Sequence, residues 1–595
     1  MNIQKVLYIS WALRKINSYP ESVYGRIQRL MLSKEPGTYK MCAPNCTHID
    51  RVMTTTNIEK DVSPGKEPPK MPGALPLLGH MLEFGKNPFE YMMKLRNTLG
   101  EIGEFRMFHQ KMVLMTGPEA NEAFFRAPDA QLDQSQAYKI MTPIFGKGVV
   151  FDAPPHKKDQ QLKMLMPVLR DKPMRGYAQV IVKEVEQMIA SWGDTGEIDL
   201  LEFMKELTIY TSSHCLLGDE FRYELNEEFA KIYHNLEKGV NPLAFVFPHL
   251  PLPVFRRRDK ARARLQELVT GIIAKRAQKP EKSEDAFQML IDASYDDGSR
   301  LSAHEITGML IGTIFAGHHT TAGTAAWTLL ELARRPEAMV VVLDELDQHF
   351  GTDGEVTFQS LREIPALENV IKEVLRLHPP LIFLIRKVML DFHFKGYTVK
   401  AGKYVCTSPR VSHRIAEVFS DPEKFDPDRY SETRQEDAKP FAWIAFGGGK
   451  HKCSGNAFAM LQLKAIFSIL LRRYTFELID NKDTYQDDFT QMVVQPASPC
   501  RVRYIKRTDI KQAVAESAAI NTEENLQTRP SFTITIDREL CQGHATCMTE
   551  APELFHVDET GNLTVLKENP PLELLVKAQQ AEKYCPTKAI KIKLN

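Results

Sequence analysis

One short run carries the clearest chemistry. Phe446-Gly447-Gly448-Gly449-Lys450-His451-Lys452-Cys453-Ser454-Gly455 sets a lone cysteine at the end of a glycine stretch. Glycine lets backbone approach a flat ligand closely and adopt positive φ. The segment after Cys453 reads as a helix with Ala457, Phe458, Leu461, Ala465 and Ile466 on its apolar side. A cysteine at a helix N-terminus is favoured as a thiolate, and Lys450, His451 and Lys452 add positive charge. The ordinary alternative is a buried structural cysteine. The glycines on one side and the helix on the other argue against it, and a phosphate loop is excluded because no Gly-Lys-Ser/Thr follows. A second set, Cys541, Cys547 and Cys585, crowds the C-terminal end with His544 between the first two. Thiolates at that density hold metal.

Two further constellations combine charge or hydroxyl with helical spacing. Residues 305–333 read as one long helix, apolar at Ile306, Met309, Leu310, Ile314, Trp327 and Leu330 and interrupted by Ala316-Gly317-His318-His319-Thr320-Thr321. Glycine and paired threonines are unfavourable in a helix interior. Thr320 beside the titratable His319 suits proton delivery to a bound oxygen species, whereas a packed histidine donating to a backbone carbonyl is the bland reading. Glu373 and Arg376 share one face of a helix whose apolar residues are Leu367, Val370, Ile371, Val374 and Leu375. As an exposed pair they would contribute little.

These residues need scaffolding, and the chain is long enough for at least two domains: 595 residues, 43% apolar and 26% charged. Zero net charge, from 76 basic and 76 acidic residues, argues against a general nucleic-acid binder. Nine cysteines over this length are no disulfide scaffold. Residues 1–64 read as an extension of unassigned role. Its longest apolar run, Val6–Leu13, is far below the ~20 residues of a spanning helix, and it lacks a cleavage site. A weakly amphipathic helix around Ile3–Leu32, making peripheral membrane contact, and a poorly ordered extension both fit. Pro64, Pro68, Pro69, Pro72 and Pro76 open a large domain, 65–506, as an extended strap. Helical periodicity dominates from Asn87 to Arg376, strands and turns fill Leu381–Cys406, a loop region runs from Asp421 to Gly449, and a strong helix covers Asn456–Arg472. The polar stretch 507–530 reads as a linker. A small α+β unit, 531–595, begins with the alternating strand Phe532–Ile536.

The cysteine run resembles the haem-binding signature of cytochromes P-450, Phe-Gly-x-Gly-x-x-x-Cys-x-Gly. That resemblance implies a mainly α fold with small β-sheets, haem b, and Cys453 as a thiolate iron ligand that pushes electron density toward O–O cleavage. It also implies that Glu373, Arg376 and the Arg429 of Phe425-Asp426-Pro427-Asp428-Arg429 form a buried structural network. Most of the family carries an acid before the helix threonine. His319 in that place is similar to the sterol 14α-demethylases, as are Tyr138-Lys139-Ile140-Met141-Thr142-Pro143-Ile144-Phe145-Gly146-Lys147-Gly148-Val149-Val150-Phe151-Asp152, the run Tyr233–Glu237, and Leu377-His378-Pro379-Pro380-Leu381-Ile382 leading to Arg386. Similarity covers nearly all of 65–506 and is nearest the bacterial members.

By that resemblance Thr320, His319 and Glu237 are catalytic, with Glu237 pairing to His319 and gating a proton path. Tyr138, Arg386 and His451 contact the haem propionates, as donors suited to carboxylates. Lys157, Lys158 and Lys163 compete for a further propionate contact. Tyr138, Ile140, Met141, Phe145, Phe315, Ala316 and Met492 line the substrate pocket. Relatives with Phe at the Ile140 position prefer sterols with one methyl at carbon 4. The smaller Ile140 therefore implies a 4,4-dimethyl sterol such as lanosterol.

Cys541-Gln542-Gly543-His544-Ala545-Thr546-Cys547 with Cys585-Pro586 resembles small bacterial ferredoxins of the 3Fe–4S type, the middle cysteine being replaced by His544. A 4Fe–4S cluster with His544 as fourth ligand and a structural zinc site are the alternatives. Zinc cannot supply the single electrons that haem oxygenation requires. No Gly-x-Gly-x-x-Gly precedes a helix, so an NAD(P)H-dependent ferredoxin reductase is implied as partner. The resulting expectation is a cytoplasmic, bacterial sterol 14α-demethylase acting on a sterol and dioxygen by three successive oxygenations, fed by its own ferredoxin domain. A hydroxylase of another steroid or terpenoid, or a non-catalytic redox or sensing haem protein, would share much of this pattern.

Overall fold

The computed structural model describes residues 65–240, 249–278, 283, 285–351, 354–507, 532–558, 560–567, 570 and 574–594. The expectations for residues 1–64 and for the linker from 508 onward lie outside them. The proline strap is extended, since closely spaced prolines lack amide donors and break a helix. Lys66 bridges Tyr397, and Lys70 bridges Glu104 along a sheet edge.

Helix does not prevail throughout 87–376. Ile102–Met107 (β1) and Gln110–Met115 (β2) form an antiparallel hairpin, and Thr195–Asp199 pairs with Arg501–Lys506. Met112–Met115 are all buried, so β2 presents a continuous apolar run, in which periodicity cannot separate strand from helix. Pro118–Arg126 (α1) follows, then the short strand Leu132–Asp133 (β3), Pro155–Leu165 (α2) and Asn226–Lys238 (α3).

Ala303–Ala333 (α4) runs through the centre of the domain, opened by a capping box between Ser302 and Glu305. The anticipated interruption at Ala316–Thr321 does not occur. Thr307, Thr313, Thr320, Thr324 and Thr328 each return their hydroxyl to the carbonyl four residues earlier. Their polarity is absorbed by the helix itself. Pro365–Leu377 (α5), Leu384–Val388 (β4), Tyr404–Thr407 (β5) and Asn456–Arg473 (α6) complete the frame. The main sheet has the order β1-β2-β5-β4-β3, parallel only between β2 and β5. The largest core joins Trp327 and Leu330 of α4, Val370 and Val374 of α5 and Ile466 and Phe467 of α6.

In the C-terminal unit, Phe532–Ile536 (β6) pairs antiparallel with Ile590–Leu594 (β9). Phe555–Val557 (β7) and Leu563–Val565 (β8) form a hairpin, and Thr546–Glu550 (α7) and Leu575–Tyr584 (α8) pack beside them. Phe532, Leu554, Phe555, Ala578 and Ala581 form a small core that includes Cys547 and Cys585. A core of this size is marginal alone and is ordinarily reinforced by metal.

Candidate active site

The cysteine loop is held from within: Cys453 N donates to Phe446 O at 2.9 Å, and Gly447 N to Ile444 O at 2.9 Å. Gly449 has φ +62°, and a Cβ there would lie 2.3 Å from the Phe125 carbonyl oxygen. Glycine is therefore required for the loop to seat on the end of α1. Cys453 stays accessible, although it lies deep enough for burial to raise its pKa, an effect opposed by the Gly455 amide and Lys452. The thiol thus keeps accessible surface deep in the fold. Ala316 is likewise accessible in the middle of the otherwise buried α4.

A buried ionic network anchors the region. Arg376 binds both carboxylate oxygens of Glu373 at 2.8 and 2.9 Å. Arg429, Tyr430 and the Asp426 amide also donate to Glu373, at 3.1, 2.9 and 2.8 Å. Arg376 further donates to the carbonyls of His413, Pro422 and Lys424. His413 Nε2 accepts from Ile444 N at 2.8 Å, just ahead of the cysteine loop. Burying the charges is tolerable because each finds several partners.

The expected propionate ligands lie in one neighbourhood, with two additions. Arg386 is buried beside Phe124 and Phe125, and desolvation lowers its pKa to about 10. Burial raises the Tyr138 phenol while Arg386 pulls it down. His451 Nε2 lies 2.5 Å from Asp129 Oδ1, a carboxylate that sequence reading passed over. Against burial, His451 and Lys450 hold the Asp129 carboxyl below its usual range. A neutral imidazole with its proton in that bond has none left for a second carboxylate, so only imidazolium could also serve a propionate. Of the three lysines, Lys157 pairs with Glu305 at 2.6 Å and Lys163 is exposed. Lys158 is buried, 3.1 Å from Ser135 Oγ and 5.8 Å from the Phe151 ring centre, and Asp129 and Lys450 both act on its charge. Accessible thiol, close-approach glycines and cationic donors together fit a flat iron macrocycle bearing carboxylates.

An aromatic ladder connects this end to the helix hydroxyl. Tyr138 stacks on Phe151 at 5.3 Å, Phe151 on Phe145 at 6.0 Å, Phe145 meets Phe315 at 6.4 Å, and Phe315 meets Tyr233 at 4.9 Å. Ile140, Met141 and Phe145 share one apolar cluster, with Phe315 packed against it. Met492 is 41% exposed and stands outside that cluster, although Val494 and Gln495 just after it pack on α4 at Gly323. The loop holding Phe145 approaches α4 at Gly308, where a Cβ would lie 2.0 Å from the Phe145 carbonyl oxygen. Arg262 clamps the loop by donating to the Ile144 and Phe145 carbonyls at 3.0 and 2.9 Å. Neither role was visible in sequence, since a lone glycine or arginine in a helix has no periodic signal. At the far end Glu237 Oε1 and His319 Nε2 are in direct contact. Thr320 Oγ1, the next residue, donates to Ala316 O at 2.7 Å.

Burial raises Cys547 to about 12, with Cys585 and Cys541 adding to the effect, and burial likewise raises Cys541, with Cys585 beside it. His544 stands apart from them. Its Nε2 lies 3.3 Å from Gln542 Oε1, and the groups acting on its charge are Leu169, Lys452 and Arg170. No thiol is among the groups acting on its charge, so this arrangement gives no support to a place as fourth ligand.

Residues 69–504 match the family model described as Cytochrome P450. The chain belongs to the cytochrome P450 family. Residues 534–592 match the model described as 4Fe-4S single cluster domain. The chain is 49% identical over 447 residues to the sterol 14alpha-demethylase of Mycobacterium tuberculosis, covering 74% of this chain and 99% of that protein. The lanosterol 14-alpha demethylase of Bos taurus is 36% identical over 446 residues, covering 74% and 88%. Among solved structures, retinoic acid bound cyanobacterial CYP120A1 superposes with a TM-score of 0.68 at 24% identity over 75% of this chain and all of that one, a likeness of fold.

The ferredoxin-like domain docks on the P450 domain beside the cysteine loop. The Pro586 carbonyl accepts from Asn456 Nδ2 at 2.9 Å and Lys452 Nζ at 3.2 Å. Gln542 Nε2 donates to the Lys452 carbonyl at 3.0 Å, and Thr546 Oγ1 to Asp171 at 2.8 Å. Around this centre Arg126 pairs with Asp537 and Glu539. Arg362 pairs with Glu550 and lies 3.6 Å over the Tyr584 ring. The P450 side is thus mainly cationic and the ferredoxin side mainly anionic, complementary charge that fixes orientation.

Proposed function

We propose that this P450 is a sterol 14α-demethylase supplied with electrons by its own C-terminal iron–sulfur domain. The observation that carries the reading is the contact of Glu237 with His319, one residue before Thr320 on α4. Acid and imidazole set against each other beside a hydroxyl can pass a proton inward from solvent. Haem, when bound to Cys453, supplies the activation of dioxygen. Arg386, Tyr138 and Lys158 hold its carboxylates; Ile140, Met141, Phe145 and Phe315 present an apolar wall to a rigid, flat substrate. The substrate is a 4,4-dimethyl sterol of the lanosterol type, for which the small Ile140 leaves room, and the 14α-methyl group is removed by three successive oxygenations.

The cluster is of the 3Fe–4S type, supported by Cys541, Cys547 and Cys585 gathered about one small core and by a His544 engaged with Gln542. Iron and acid-labile sulfide analysis distinguishes it from a four-iron cluster. The donor to the cluster is an NAD(P)H-dependent ferredoxin reductase. Among the described residues no helix is long and apolar enough to cross a membrane. The test is turnover of lanosterol with NAD(P)H and a bacterial ferredoxin reductase. A 14-demethylated product and formate are expected. Absence of a substrate binding spectrum and of product would overturn the reading. Ile140→Phe should shift preference toward 4-monomethyl sterols, and an unchanged preference would reject the role of that side chain.

A further inference from the structure

We propose that Gln542 is the contact through which electrons pass from the ferredoxin-like domain to the P450 domain, and that His544 is the residue that aims it. The inference rests on the fused-donor reading above. Gln542 directly follows cluster cysteine Cys541, and its Nε2 donates at 3.0 Å to the carbonyl of Lys452. That carbonyl belongs to the peptide bond joining Lys452 to Cys453. A bonded path therefore leads from one cysteine, through its neighbour's side chain and a single hydrogen bond, into the backbone of the other. The Pro586 contact is longer in covalent terms, since it enters through the full Lys452 side chain or through Asn456, on the helix beyond Cys453.

The amide of Gln542 must be oriented for this. An amide NH2 can only donate and its oxygen can only accept. With Nε2 turned to the Lys452 carbonyl, Oε1 is left facing His544 Nε2 at 3.3 Å. His544 is buried, 5% exposed. With the proton of the neutral imidazole on Nε2, His544 donates to that oxygen and opposes a flip of the amide. The position that would supply a fourth cysteine thus carries a residue that faces the partner domain. His544 and Gln542 are positioning residues and touch no substrate. In the step itself one electron leaves the cluster, which is oxidised, and reaches the haem iron, which is reduced. No bond forms or breaks, and the reductase restores the cluster electron from NAD(P)H.

The test uses the full-length holoprotein under carbon monoxide, comparing wild type with Gln542→Leu and His544→Ala. Three quantities are read: the electron paramagnetic resonance signal with iron and sulfide content; the rate at which the ferrous–CO band near 450 nm appears after NADPH and reductase are added; and the size of that band with dithionite. Both variants should keep the cluster signal, the iron count and the dithionite band. The reductase-driven rate should fall severalfold. A changed cluster signal in His544→Ala would make His544 a ligand and overturn its assignment. An unchanged rate in Gln542→Leu would overturn the contact. Should that variant lose its dithionite band through misfolding, Gln542→Glu decides equally, since it sets an acceptor against the carbonyl at constant size. The fused-donor reading fails separately: the wild-type cluster would then reduce without any haem band until a second ferredoxin was added.

Discussion

Glu237 and His319 face each other directly between α3 and α4, and burial drives both toward their neutral forms. The Glu237 carboxyl is pushed up to about 7, and the His319 imidazole down to about 4. Near neutral pH the pair is therefore a neutral imidazole beside a carboxyl group close to its titration midpoint. Since Glu237 binds its proton more tightly when folded, the stability it contributes is complete below its ordinary value of 4.5 and is lost as pH rises through about 7. His319 acts on the acid side: the folded imidazole resists a proton that the unfolded chain accepts, so stability falls between 6.5 and about 4. Glu237→Gln should remove the decline with rising pH. Thermal midpoints from pH 4 to 8 for the two proteins should diverge between 4.5 and about 7 and run parallel above it, and curves parallel throughout would refute the assignment. The limb of kcat near pH 7 should disappear in the same variant.

Thr320 gives a cleaner separation of chemistry from structure. Its hydroxyl donates to the Ala316 carbonyl within the helix, so Thr320→Ala removes no bond to any other element and favours helix. The fold and the 450 nm band should therefore survive. Without the hydroxyl beside His319, NADPH consumption should continue with hydrogen peroxide formed in place of demethylated sterol. Measuring peroxide against product tests this, and an unchanged ratio would exclude a part for Thr320 in proton delivery.

What could be read in the sequence depended on whether a residue's partner lay nearby in the chain. Cys453, Glu373 with Arg376, and the strand opening at Phe532 stand inside local patterns, and the structure keeps the ion pair and the strand. Glu237 was linked to His319 only by resemblance, because nothing in either segment alone specifies the other. Asp129, Lys158, Arg262 and Gly308 act through partners distant in sequence, and so left no periodic trace. Strand β2, buried from Met112 to Met115, resembles helix for want of an alternating face. The threonine-rich stretch of α4 looked like an interruption because side-chain hydroxyls were expected to seek partners off the helix, and they found them one turn back.

The Glu373 network should be unforgiving. Its carboxylate accepts from Arg376, Arg429, Tyr430 and the Asp426 amide, all without solvent contact for the charged groups. Removing one partner strands buried cations, at roughly 3–5 kcal/mol. Glu373→Gln should lower the thermal midpoint sharply and reduce haem content, because Arg376 also holds the His413 carbonyl and His413 receives the Ile444 amide. Absorbance at 450 nm per mole of protein reads the outcome. Retention of full haem with an unchanged midpoint would show that the network does not support the cysteine loop.

Docking between the domains combines screened and sheltered charge. Arg126 and Glu539 are about one-third and two-thirds exposed, 34% and 65%, so this pair weakens as salt rises. Arg362 and Glu550 are each only 10% exposed, and the guanidinium also covers the Tyr584 ring. A sheltered pair is screened far less, and the cation–π contact adds about 0.5–2 kcal/mol. The tether holds the two surfaces at an effective concentration of about millimolar, so wild-type haem reduction should decline only gently up to about 0.5 M salt. Arg362→Ala leaves the exposed pair carrying more of the docking. Its reductase-driven rate of haem reduction should be slower at low salt and should fall much more steeply than wild type as salt is added, while the dithionite end point stays constant. Equal salt dependence in the two proteins would show that Arg362 does not hold the domains together during electron transfer.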